Sequence, residues 1–190
     1  MATEITPVWQ ASEESLAYAG VPPPFWAFAW AGGQALARYL LDHPATVAGL
    51  SVLDFGSGSG LVAIAAAEAG ARSVLAAEID HVAAAAIAAN AALNDAAVAV
   101  MAADPIGSDV SDCDIVVAGD ICYERDMAER AVAWLRQRAG RGALVLLGDP
   151  GRAYLPRAGL RRLARYAVPT SREIEDRDSR EAVVWQVLAG

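Results

Sequence analysis

Five short, almost wholly apolar runs recur along the chain, and an acid closely follows each: Leu50–Leu53 before Asp54, Ser73–Ala77 before Glu78, Val98–Ala102 before Asp104, Ile115–Ala118 before Asp120, and Ala143–Leu147 before Asp149. Runs this short, without polar alternation, read as strands buried on both faces, the pattern of a parallel sheet. Helical stretches separate most of them: Leu61–Ala69, His81–Leu93 and Arg125–Arg138. Ahead of the first strand, Gly32–Leu41 places Leu36, Tyr39 and Leu40 on one helical face. Before that lies a proline and aromatic segment with Phe25, Trp26, Phe28 and Trp30, and residues 1–20 are only weakly patterned. At the far end, Arg165–Val168 and Ala182–Leu188 read as two more strands, joined through the charged stretch Thr170 to Glu181. The prediction is an α/β fold with five parallel strands, a C-terminal antiparallel hairpin and helices on both faces. One domain over residues 1–190 is the simplest reading.

Composition narrows the partners. The 55% hydrophobic content is inflated by alanine, and the most apolar long stretch, Leu16 to Leu41, is broken by Pro22-Pro23-Pro24 and Gly32-Gly33. Three successive prolines end a spanning helix, so no membrane segment is expected. Met1-Ala2-Thr3-Glu4 lacks a basic region leading into an apolar core, so no signal peptide is expected either. Cys113 and Cys122 are too few for a disulfide framework or a metal cluster, which points to reduced thiols and a cytoplasmic protein with no metal. All fifteen basic residues are arginine. Residues 1–120 carry two of them against fourteen acids, and residues 121–190 carry thirteen against nine. The acidic first part would repel nucleic acid, and the later arginines, Arg157, Arg161, Arg162 and Arg165 among them, read as a solvated face.

The chemistry concentrates in Asp54-Phe55-Gly56-Ser57-Gly58-Ser59-Gly60, a strand end running into three glycines at alternate positions and then a helix. Glycines let backbone approach a ligand closely, and the helix start offers free N–H groups. A dinucleotide fingerprint needs G-x-G-x-x-G. Here the third glycine comes one residue early, and an acid beside the turn suits a ligand with donors or positive charge better than a phosphate. Glu78, eighteen residues after Gly60, is near the spacing of about 20 residues expected of an acid on ribose hydroxyls. Acids at the carboxyl ends of parallel strands lie where open α/β sheets bind ligands. For Asp149, before Pro150-Gly151, and for Asp80, at a helix start, local capping is the better reading.

D-x-G-x-G-x-G after a hydrophobic strand resembles motif I of the class I S-adenosylmethionine (SAM) methyltransferases. Gly119-Asp120-Ile121-Cys122-Tyr123-Glu124 resembles the Asp-x-x-Tyr/Phe motif of a seven-β-strand protein-lysine methyltransferase group, and Trp30 to Leu40 resembles the helix that this group places before motif I. The Pro-Pro-Phe-Trp-Ala-Phe approach is similar to the branch that methylates lysines of the electron transfer flavoprotein β-subunit. The resemblance covers nearly the whole chain and implies a Rossmann-like seven-stranded methyltransferase sheet, with residues 1–45 as a substrate-side segment. It implies SAM as cofactor, S-adenosylhomocysteine as product, and a protein substrate. By that carry-over Trp30, Asp54, Gly56, Ser57, Gly58, Glu78, Asp104 and Gly119 would bind the cofactor, with Asp54 near its ammonium group, Asp104 near its adenine and Gly119 keeping a side chain out of its way. Asp120 and Tyr123 would be catalytic, and Phe25 and Trp26 would hold the substrate. Glu78 departs from the commoner Asp, which leaves its role intact.

Methyl transfer to an amine is an in-line displacement that needs no metal and no covalent nucleophile. A lysine amine, with a pKa near ~10.4, must lose its proton first, and an apolar, aromatic pocket favours that loss. Small-molecule (nicotinamide-like) N-methylation and methylation of a ribosomal protein are the rival reactions. An open groove beside Asp120 and Tyr123 would favour protein lysine, and a closed pocket a small amine.

Overall fold

The computed structural model describes residues 23–190 apart from 109, 111, 112, 171 and 176. Pro22 and the weakly patterned residues before it lie outside the described residues. A 3-10 turn at Phe25–Ala27 leads into helix α1 (Ala31–Asp42). The chain then alternates: β1 (Ser51–Phe55), α2 (Leu61–Glu68), β2 (Ser73–Ala77), α3 (His81–Leu93), β3 (Ala99–Met101), β4 (Ile115–Gly119), α4 (Arg125–Gly140) and β5 (Leu144–Asp149). It closes with β6 (Leu160–Pro169), the short α5 (Arg172–Glu175) and β7 (Ser179–Val187).

The seven strands form one sheet in the order β3-β2-β1-β4-β5-β7-β6. β1 to β5 pair in parallel, and β7 runs antiparallel to both β5 and β6. The order reverses between β1 and β4, so the carboxyl ends of those two strands flank the switch point where α/β sheets open a ligand crevice. This is the Rossmann-like seven-stranded sheet expected from the alternating pattern.

Side chains alternate across the sheet and sort into two layers. Val52, Val74, Ile115, Val117 and Leu146 pack under α1, α2 and Ile87 of α3, while Leu53, Phe55, Val116, Ala118, Val145 and Leu147 pack under α4. By the same alternation Asp54 falls on the α1–α2 side of β1.

The hairpin is longer than its sequence pattern. β6 starts at Leu160 rather than Arg165, and β7 at Ser179 rather than Ala182. β6 is an edge strand, where solvated side chains carry no burial cost, so Arg161 and Arg162 sit in the ladder with a register shift between Arg162 and Ala164. Apolar periodicity does not register such a strand.

Helix α1 makes its closest backbone approach to the sheet at glycines. A Cβ on Gly32 would stand 2.2 Å from the Gly148 carbonyl oxygen, and one on Gly148 would stand 2.1 Å from that of Gly32. A Cβ on Gly119 would come within 2.9 Å of Gly33 Cα. Gly119 is therefore set by the seating of α1 on β4, and the atoms its side chain would strike first belong to Gly33. This packing constraint stands beside the expected role of Gly119 at the ligand, since Gly119 also lines the cavity at the carboxyl ends of the strands.

Candidate functional site

A cavity of about 550 Å³ opens at the carboxyl ends of β1, β2 and β4, within the range of small-molecule sites. Gly56 and Gly58 on the β1–α2 turn line it, with Glu78, Asp104, Gly119, Asp120, Tyr123, Phe25, Trp26 and Trp30. Residues from position 25 to position 123 are thus brought to one place. Asp54 and Ser57 do not line it.

The turn itself is strapped down. Gly56, Gly58 and Gly60 all have positive φ, a region that glycine enters without a Cβ penalty. The amides of Gly56 and Ser57 donate to the Ala77 carbonyl at 3.0 and 3.2 Å. A Cβ on Gly58 would meet no atom within 4 Å, so that backbone faces open space.

Asp54 is 1% exposed, and its Oδ2 accepts from Ser57 Oγ at 2.6 Å and from the Ala63 amide, in the first turn of α2, at 3.0 Å. It pins the turn to the helix from behind rather than facing a ligand across the cavity, because the alternation of β1 turns it inward. Burial pushes its carboxyl up to about 7 against the help of those two donors. The folded chain therefore keeps a proton between about pH 4 and pH 7 that the unfolded chain has lost, and stability falls as pH rises through that window. Asp54→Asn has no charge to desolvate and retains an oxygen for both donors. Its stability relative to wild type should improve between pH 5 and pH 8 by on the order of 1–3 kcal/mol. Urea unfolding at the two pH values measures this, and parallel behaviour of the two proteins would exclude Asp54 as the source.

Glu78 organises the neighbouring turn. Its Oε2 accepts from the Gly58 amide at 2.9 Å, and Oε1 from the amides of Ile79 and Asp80 at 2.8 and 3.2 Å. Three of about four acceptor positions are filled, leaving one on Oε2. Asp80 accepts from the Val82 amide at 2.8 Å and caps α3, as its position predicts. Asp104 holds the Ile106 amide at 2.8 Å on Oδ1 and pairs with Arg130 through Oδ2. Ile79, Ile106 and Met127 give the same side of the cavity an apolar wall.

On the other side Asp120 follows β4 with φ +56°, a left-handed conformation that is uncommon outside glycine and more tolerated by Asp and Asn. Its Oδ2 accepts from the Gly33 amide at 2.9 Å, where the start of α1 presents unsatisfied N–H groups. Its Oδ1 accepts from Arg152 Nε and Nη2 at 3.0 and 2.7 Å. Burial pushes the Asp120 carboxyl up to about 6, with Arg152 and the Gly33 amide pulling the other way and Asp149 adding to the rise. Asp149 is fully buried. Its Oδ1 accepts from the Gly151 and Arg152 amides at 2.6 and 2.7 Å, while Oδ2 has no partner among the described residues.

The aromatic segment lines this end. Trp30 Nε1 donates to the Phe25 carbonyl at 2.7 Å, and the Phe25 ring lies 6.0 Å from Trp30 and 5.5 Å from Tyr123. Phe28 turns into the core, 8% exposed. Tyr123 is half exposed, and burial of the rest, with Glu78 and Glu124 nearby, raises its phenol above the ordinary value, so it stays protonated. Cys122, fully buried and pushed up to about 12, is an inert core thiol. Among the described residues no group of three or more His, Cys, Asp or Glu side chains is arranged to hold a metal ion.

Arg152, Arg130, Ile79 and Ile106 line the cavity without having been singled out from the sequence. The one signal for Arg152 was the Asp149-Pro150-Gly151 turn that delivers it from the end of β5.

Comparison with known proteins agrees with this geometry. The family described as "Ribosomal protein L11 methyltransferase (PrmA)" matches residues 35–129. The electron transfer flavoprotein beta subunit lysine methyltransferase of Danio rerio is 42% identical over 171 residues, covering 87% of this chain and 66% of that protein. Its Xenopus laevis counterpart is 40% identical over 168 residues, covering 85% and 68%. The chain thus spans about two thirds of the length of the curated relatives it matches. Among solved structures, magnesium protoporphyrin IX methyltransferase from Synechocystis PCC 6803 with bound SAM superposes with a TM-score of 0.61 at 18% identity, over 83% of this chain and 79% of that one, a likeness of fold.

Proposed function

The chain belongs to the class I, seven-β-strand SAM-dependent methyltransferases, in the group of the electron transfer flavoprotein beta subunit lysine methyltransferases, and we propose that it methylates lysine side chains of a protein, with the electron transfer flavoprotein β-subunit as substrate.

The residues present suit SAM. The open backbone at Gly56 and Gly58 and the remaining acceptor positions on Glu78 and Asp104 match a ligand rich in donors. The apolar wall of Ile79, Ile106 and Met127 suits a flat base. Both guanidinium groups that line the cavity, Arg130 and Arg152, are paired with acids, so neither is left for a phosphate. When bound, SAM supplies an electrophilic methyl group on a positively charged sulfur.

The observation that carries the protein-lysine reading is the open mouth beside Asp120. Tyr123 is 50% exposed and Phe25 39% exposed at its rim. Two exposed, touching aromatic rings suit the apolar stem of a lysine presented from a surface, where a free small amine would gain more from enclosure. Asp120 would draw in the ammonium group, and the aromatic surroundings would favour its neutral form. Tyr123, whose phenol is held above its ordinary value, would bound the amine's path in its neutral form. Proximity and orientation would supply most of the rate. The L11 family match runs from residue 35 to residue 129, so it takes in the glycine turn, Glu78, Asp104, Asp120 and Tyr123 and leaves out Phe25, Trp26, Trp30, Arg152 and Glu175. A reducing, cytoplasmic setting is in keeping with the free cysteines Cys113 and Cys122.

Incubation with methyl-labelled SAM and purified electron transfer flavoprotein tests the reading. Label on lysine of the β-subunit, located by peptide mass spectrometry, is expected. Label confined to small molecules such as nicotinamide would overturn it.

A further inference from the structure

We propose that Arg152 is a positioning residue for the acceptor side of the site: by bridging Asp120, Glu175 and the face of Trp30, it holds the Asp120 carboxylate ionised and in one orientation. This rests on the reading that Asp120 receives the substrate amine.

The bridge is built on three sides. Nε and Nη2 of Arg152 both donate to Asp120 Oδ1, Nη2 also donates to Glu175 Oε1 at 2.8 Å, and the guanidinium carbon lies 5.5 Å from the centre of the Trp30 ring. Glu175 is itself buried and paired with Arg180. The main chain of Arg152 is tied to Asp149, so its origin is fixed as well as its tip. With Gly33 on Oδ2, three of about four acceptor positions on Asp120 are filled and one, on Oδ2, remains for a ligand. A carboxylate held in this way offers its last lone pair in a set direction.

The charge balance gives the bridge its effect. Among the described residues, Arg152 and Asp149 are the charged groups that act on Asp120, Glu175 and Arg180 follow behind Arg152, the Cys122 thiol lies beside them, and α1 contributes its N-terminal amides. Among the described residues, Arg152 is the cation in direct contact with Asp120. Burial opposes the charge on Asp120, and an adjacent guanidinium offsets that by roughly one to three pH units. Without Arg152 the carboxylate would be largely neutral at pH 7 and would neither attract an ammonium group nor accept from an amine.

The test is the pH dependence of single-turnover methyl transfer, read as the ratio of variant to wild type, so that deprotonation of the substrate lysine cancels. Arg152→Gln should show a ratio of about 0.1 at pH 7 that climbs severalfold by pH 9, as Asp120 regains its charge. Arg152→Lys keeps the charge and loses the fork. It should be slower than wild type by about threefold to tenfold, at a ratio that is flat with pH. A flat ratio for Arg152→Gln, or wild-type rates for either variant, would overturn the proposal. If Arg152→Gln does not fold, Arg152→Lys decides by the same criterion. Asp120→Asn separates the two levels. If it is slow while the Arg152→Gln ratio is flat, only the role of Arg152 falls. If Asp120→Asn is as fast as wild type, the reading of Asp120 falls.

Discussion

Replacing Asp120 with asparagine should slow methyl transfer to lysine by about 10²–10³-fold while the affinity for S-adenosylhomocysteine stays within about threefold. The substitution suits the backbone, since asparagine shares with aspartate an ability to occupy the left-handed region that Asp120 adopts at φ +56°. It also preserves an oxygen for either the Gly33 amide or Arg152. What it removes is the charge that would draw an ammonium group into an apolar, aromatic mouth. Arg152 still has Glu175, so the folding cost is expected to be about 1–3 kcal/mol, well short of unfolding. Calorimetric titration with S-adenosylhomocysteine and single-turnover transfer give the two quantities separately. Equal loss of both would mean that the variant had disturbed the cavity as a whole, and unchanged transfer would remove Asp120 from the chemistry. In the wild type, with the Asp120 carboxyl at about 6, activity should decline below that pH as the group takes up its proton and recover fully on return.

The contrast between Asp54 and Asp120 shows how far sequence reasoning reaches. Both follow apolar strands, and in the sequence both read as acids at the ligand edge. Strand pattern locates the edge to within a residue, but it does not say to which side of the sheet an acid points. Asp54 is the fourth residue of β1, so its direction is set by alternation, and it ends beneath α2. Asp120 comes one residue after β4, on a backbone turned to positive φ, and stays at the cavity. Glu78, Asp104, Trp30 and the turn glycines reached the cavity because helix and strand lengths place them there. Arg152 did not stand out because its partners come from four separate elements: Asp120 after β4, Asp149 in β5, Glu175 in α5 and Trp30 before α1. No local period encodes such a meeting. The same holds for Gly32 and Gly148, whose significance appears only when their backbones are seen 116 residues apart in sequence and in contact in space.

Among the described glycines, that contact yields the largest stability effect expected for a single added methyl group. In Gly148→Ala the added Cβ would stand 2.1 Å from the Gly32 carbonyl oxygen and 2.9 Å from Leu36 Cβ. Neither neighbour is the far end of a flexible side chain. The oxygen belongs to the first turn of α1, and Leu36 is fully buried. Relief requires α1 to lift from β4 and β5, which would loosen the packing of Leu36 and Leu40 and draw the Gly33 amide from Asp120. We expect a loss of about 3 kcal/mol or more, which for a chain of this size lowers Tm by roughly 6–12 °C. Gly58→Ala provides the opposite case. No atom lies within 4 Å of its Cβ, and the cost is the positive φ alone, about 1–2 kcal/mol. Its Cβ would instead enter the space in front of the turn, so the affinity for S-adenosylhomocysteine should fall about tenfold or more even where the protein is fully folded. Thermal unfolding and calorimetric titration of the two variants should therefore rank them in opposite orders. Gly148→Ala should be the less stable of the two, and Gly58→Ala the poorer binder while both are folded. If Gly58→Ala bound as tightly as wild type, the glycine turn would be a structural hinge rather than the wall of the cofactor site. If Gly148→Ala melted with wild type, the seating of α1 on glycine would not be what holds the aromatic approach over the sheet.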